Sequence, residues 1–72
     1  MIKELERVAL TVDFPEHHLK AGDVGAVVYV HGEGYEVEFF TLDGKTLDVI
    51  TVLASQVRPV SSREIAHARP LE

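Results

Sequence analysis

Tyr35-Glu36-Val37-Glu38-Phe39-Phe40-Thr41-Leu42-Asp43-Gly44-Lys45-Thr46-Leu47-Asp48-Val49-Ile50-Thr51-Val52 is the stretch whose reading decides the fold. Its first five residues alternate, with Tyr35, Val37 and Phe39 on one side and two carboxylates on the other, the period of a strand with one face on a core. Asp43-Gly44 is a strong hairpin signal, and Thr46 to Val52 supplies the returning strand. The register is the open question, because a slip of one residue sends every side chain to the opposite face. A two-residue Asp43-Gly44 turn sets Phe39 opposite Asp48 and Val37 opposite Ile50. A three-residue Leu42-Asp43-Gly44 loop with Gly44 left-handed sets Phe39 opposite Leu47 and Val37 opposite Val49. The second is favoured, since it keeps Asp48 away from the core-facing Phe39, at the cost of a Glu38–Asp48 like-charge pair outside. It leaves Phe40 and Ile50 on the outer face. With Val27, and Tyr29 in phase with it, they form either an exposed docking patch or, if strong coiling lets both faces of a strand contribute, part of the core.

Working outward, Glu6 to Val12 alternates as a first strand, with Val8, Leu10 and Val12 opposed to Arg7, Ala9 and Thr11. Pro15 breaks the pattern and opens a long loop through His17, His18, Leu19, Lys20 and Ala21. Gly22-Asp23 is a turn before a second strand, Val24 to Val30. Gly25 within it implies a sharp bend or the close approach of another backbone. His31-Gly32-Glu33-Gly34 closes a short hairpin. After Val52, Leu53-Ala54-Ser55-Gln56 is turn-like, and Val57-Arg58-Pro59-Val60 reads as an edge strand, where proline is tolerated. Ser61 or Ser62 could cap a short helix with Glu64 in its first turn, but little apolar surface follows, so residues 61–72 read as a frayed or short helical tail ending in an appended Leu71-Glu72 remnant.

The expected fold is all-β, a small, partly open five-stranded SH3-like barrel over residues 1–60. A chain of 72 residues has room for one core. Without cysteine there is no disulfide, thiolate nucleophile or cysteine zinc site. No apolar run reaches the length of a membrane span and the N-terminus is unlike a signal peptide, so a cytoplasmic location is the expectation. Seven basic and twelve acidic residues give a net charge of −5, and Arg7, Lys20, Lys45 and Arg58 are scattered singly, which works against phosphate backbones as partners.

At Leu19-Lys20-Ala21-Gly22-Asp23-Val24-Gly25-Ala26-Val27-Val28, Tyr35 to Phe39 and Val57-Arg58-Pro59, the chain resembles a family of short, uncharacterised bacterial proteins, a domain of unknown function. The Gly-Asp-x-Gly-x-Val core also resembles the KOW modules of ribosomal and transcription-elongation proteins and the barrel of the nitrile hydratase β subunit. The KOW likeness implies RNA or ribosome association as the alternative function. RNA-binding KOW modules, however, surround this turn with basic residues, whereas here Lys20 stands among Asp13, Glu16 and Asp23. The tyrosine-and-tryptophan signature of peptide-binding SH3 domains is missing.

Glu16, His17, His18 and His31 are conceivable metal ligands, but no ligand spacing is present and adjacent residues in an extended segment point apart, so no metal or cofactor is expected. Asp13, Glu16 and Asp23 bracket one loop, yet nothing suggests the burial that acid–base work requires. No nucleophile elbow or phosphate loop occurs, and no enzymatic activity is expected. The function read from the sequence is a noncatalytic interaction or regulatory module for another protein, of the antidote or accessory type, with homodimerisation as a second form of partnership. Its contact residues are Phe14, Pro15, His17 and His18 in the long loop, plus the aromatics Tyr29, Tyr35 and Phe40.

Overall fold

Alternating apolar residues between glycine-rich turns build five antiparallel strands: β1 (Arg7–Leu10), β2 (Val24–His31), β3 (Gly34–Phe40), β4 (Thr46–Leu53) and β5 (Val57–Pro59). They form one sheet in the order β4-β3-β2-β1-β5 in a computed structural model that describes residues 2–71. Two 3-10 turns, Pro15–His17 and Ala54–Gln56, are the only helical elements among the described residues. The all-β class and the strand order along the chain follow the sequence reading. The sheet does not close, because β4 and β5 are its two edges. The β5 edge is short and carries Pro59, which blunts further pairing. Among the described residues, no helix is long and apolar enough to cross a membrane.

The core is Val8, Leu10, Leu19, Val27, Val37, Phe39, Ile50, Val52 and Val57, with Ile2, Phe14, Val30 and Tyr35 packed against it. β1 lies between β2 and β5 and is covered more fully than alternation implied: Val8, Ala9 and Leu10 are all buried. The strand ends at Leu10, so Val12, expected on the core side, is 40% exposed. Gly25 has the close approach expected of it. A Cβ there would lie 2.6 Å from Val37 Cγ1 and 2.7 Å from the Glu38 carbonyl oxygen, so only glycine lets β2 cross β3 at this point.

The β3–β4 hairpin combines both registers. Its turn is the favoured three-residue loop: the Thr41 N–H donates to the Lys45 carbonyl (2.9 Å), the Gly44 N–H donates to the Thr41 carbonyl (2.9 Å), and Gly44 is left-handed at φ +89°. Phe40 accordingly pairs with Thr46. An irregularity between Phe39 and Phe40 then leaves Leu47 as an extra residue, and from there inward the ladder follows the other register, with Phe39 opposite Asp48 and Val37 opposite Ile50. The expected Phe39–Leu47 and Val37–Val49 pairs are therefore absent. Of the two readings open for Ile50 and Val27, outer patch or core, the structure has the core, at 5% and 0% exposure.

A second irregularity lies between Val27 and Tyr29, since Val27 faces Val37 while Tyr29 faces Glu36. The extra residue, Val28, puts Tyr29 out of phase with Val27, so Tyr29 is exposed while Val27 is buried. Both bulges resolve the same conflict: each lets a strand keep its apolar residues inward although its turn fixes a different phase.

No helix forms between residues 61 and 71. Glu64 accepts the Ser61 N–H (2.9 Å) as a cap would and pairs with Arg58 (2.7 Å), but Ala66-His67-Ala68-Arg69-Pro70 offers no apolar stripe to hold a helix on the sheet. The segment runs irregularly and is pinned at Arg69.

Candidate functional site

The loop between β1 and β2 is a folded flap. Phe14 and Leu19 exchange backbone hydrogen bonds (2.9 and 3.1 Å) across its base, His18 takes a left-handed conformation (φ 58°), and Asp13 accepts the Ala21 N–H (2.8 Å). Phe14 leans on the core and Leu19 is buried in it. These two anchors fix where Pro15, His17 and His18 stand. His17 turns toward the sheet, where its Nδ1 lies 2.8 Å from Asp48 Oδ2, whereas Pro15 and His18 stay exposed.

The seven residues expected to form a contact surface thus separate. Phe14 and Tyr35 support the core, and His17 is engaged with Asp48. Tyr29 sits on the other side of the sheet with its ring 5.5 Å from that of His31, itself 3.8 Å from a Glu36 carboxylate oxygen. Phe40 lies four positions further along β3 than Glu36, the partner of Tyr29, and the Arg7 guanidinium covers its ring at 5.2 Å. Pro15, His18 and Phe40 do come to one place, the cleft beneath the tail.

That cleft has two recesses sharing Leu19, Arg69 and Leu71. The smaller, about 220 Å³, lies against Asp13, Pro15, His18 and Lys20. The larger, about 500 Å³, lies between tail residues 66–69 and the end of the sheet, where Val24, Phe40, Leu42 and Leu47 line it. Leu42 at the hairpin tip is 96% exposed and Leu47, the bulge residue, 45%. The core uses neither. An apolar residue at a turn tip and another opposite no core position were the sequence signals for this groove, but only the true register reveals the second.

Arg69 divides the two recesses. Its Nε and Nη2 donate to Asp23 Oδ1 (2.8 Å) and Oδ2 (2.6 Å), and Nη2 also reaches the His18 carbonyl (3.1 Å). The Lys20 N–H donates to Asp23 Oδ2 (2.8 Å), so the loop fixes the acceptor independently of the tail. Partial burial pushes the Asp23 carboxyl upward, but the Arg69 and Lys20 hydrogen bonds, with the positive charges of both residues, outweigh it and hold the group below the ordinary aspartate value. The partners are 46 positions apart, so no local pattern announces them.

The conceivable metal ligands do not converge. His17, His18 and His31 point to different surroundings, and among the described residues no group of three or more histidines and carboxylates could hold a metal ion. Of the three loop carboxylates, Asp13 and Asp23 are engaged in shaping the flap and Glu16 is exposed.

Residues 4–59 match the model of a family described as "Domain of unknown function (DUF4926)", and the chain belongs to that family. No curated protein and no solved structure matches it. The flap, Asp23 and the hairpin lie inside the matched span, whereas Arg69 and the rest of the tail lie beyond it.

Proposed function

We propose that this member of the family is a noncatalytic interaction module that takes a segment of another protein into the groove between the β3–β4 hairpin and the start of β2, regulating or neutralising that protein. One observation carries the reading: Leu42 and Leu47 stand exposed beside Val24 and Phe40 around an apolar recess of about 500 Å³, on a chain with a net charge of −5. Apolar side chains held on a rigid turn, unused by the core and rimmed by charge, are the arrangement of a docking surface. The flap contributes Pro15 and His18 from the other side of the cleft.

The test is affinity capture from the native cell with the full chain and with the Leu42→Glu/Leu47→Glu double variant, using Thr51→Glu as a surface control. Capture by the wild type and the control, lost in the double variant while circular dichroism is unchanged, is the expected result. No protein enriched by the wild type, or equal capture by all three, would refute the reading.

A further inference from the structure

We infer that the tail, residues 66–71, is an internal occupant of the docking groove, and that the groove is built to take an extended segment of another protein that presents an arginine to Asp23 between bulky apolar residues. This rests on the groove being the docking surface. Three observations carry it further.

The first is the receptor for the guanidinium. Two parallel N–H donors meet both oxygens of one carboxylate, and a third contact meets the His18 carbonyl. A planar fork fits this arrangement, and a lysine ammonium does not. Asp23 is held in place by the Lys20 N–H, and its own N–H donates to the Lys20 carbonyl (3.0 Å), so the acceptor is organised by the loop.

The second is where the two halves lie in the chain. Asp23, His18 and the sheet-side lining Val24, Phe40, Leu42 and Leu47 fall within the family span 4–59, whereas Arg69 falls outside it. The receiving half lies within the matched domain, and the occupying half lies beyond the matched residues.

The third is the fit. The tail satisfies the charge and lines the recess with His67 and Leu71, but at Ala66 and Ala68 it offers only methyl groups to a recess of about 500 Å³ lined by Phe40, Leu42 and Leu47. Burying larger side chains there would remove more apolar surface from water. A partner segment with leucine-sized residues in place of the alanines therefore gains what the tail forgoes. It must still compete with a tethered occupant whose effective concentration is in the millimolar range.

The probes are two fluorescent peptides: residues 66–71 themselves, and the same hexapeptide with leucine replacing both alanines. Each is titrated against the full-length wild type, Arg69→Gln and Arg69→Gln/Asp23→Asn, with amide NMR spectra confirming that all three remain folded. The leucine peptide should bind Arg69→Gln at least tenfold more tightly than the wild type and more tightly than the alanine peptide. Adding Asp23→Asn, or replacing the peptide's arginine by lysine, should weaken binding at least tenfold. A folded Arg69→Gln chain that takes neither peptide, or binding indifferent to Asp23, overturns the inference. Cellular capture that depends on Leu42 and Leu47 alongside that negative result would leave the docking surface standing without its arginine, so the two readings fail separately.

Discussion

Asp48 stands directly opposite Phe39 across the β3–β4 ladder, on the core side of the sheet, and its carboxylate is met by His17 from the flap at 2.8 Å. Its other oxygen accepts the Val49 N–H (2.9 Å). The side chain is 40% exposed, so the charge remains partly hydrated at the rim. A half-exposed pair is worth little as an ion pair but supplies a partner to a carboxylate set beside an aromatic ring. His17→Ala should cost about 0.5–1.5 kcal/mol by urea denaturation, and the coupling in a cycle with Asp48→Ala should stay below about 1 kcal/mol. A coupling of several kcal/mol would mean that the pair is far drier than its exposure indicates.

The same pair explains what the sequence did and did not disclose. Alternation at Tyr35–Phe39 and the Asp43-Gly44 turn placed both strands and even the three-residue loop. The register was decided by keeping Asp48 off the core side, a local criterion. What makes that position tolerable is His17, 31 residues away, together with a bulge at Leu47 that no residue type announces. Gly25 was legible because glycine in a strand has few other reasons to be there. The groove was not, because its walls come from the hairpin tip, the start of β2 and the tail.

Deleting Leu47 should therefore be benign for the sheet. The three-residue loop would then lead straight into the inner register, with Phe39 opposite Asp48 and no residue left over. Cross-strand contacts between Val37 and Ile50 should persist in NMR spectra, with stability within about 1 kcal/mol of the wild type. Loss of those contacts would show that the bulge, and not the core, sets the register.

Gly25→Ala and Gly22→Ala separate two reasons for glycine. At Gly25 the added methyl meets the Val37 side chain and the Glu38 backbone, and the latter cannot move without displacing β3. A loss of about 2–4 kcal/mol is expected, a large part of the stability of so small a domain. At Gly22 there is open space, but φ is +95°, so the cost is conformational, about 1–2 kcal/mol. Equal losses in thermal or urea unfolding would contradict the close strand crossing.

Several arginines are engaged within the molecule: Arg7 over Phe40, Arg58 with Glu64, and Arg69 with Asp23 and His18. With a net charge of −5, mixed RNA should not bind even at low salt. Binding that weakens steeply as salt rises would favour the RNA-associated alternative over a protein partner.

Acid should release the tail, and the sign follows from Asp23. Its carboxyl is held below the ordinary aspartate value in the folded protein, so the folded state favours the charged form. The contribution of the Arg69–Asp23 contact is therefore complete above the ordinary aspartate pKa and is lost as pH falls through the lower folded value. The difference in amide position between the wild type and Arg69→Gln at Ala66 and Ala68 should stay constant from pH 7 to about 5 and close only below about pH 4. His67, which lines the same groove, is present in both chains and cancels in the comparison. A wild-type transition well above pH 5 that Arg69→Gln lacks would assign the clasp to some group other than Asp23, and the arginine receptor would have to be sought elsewhere.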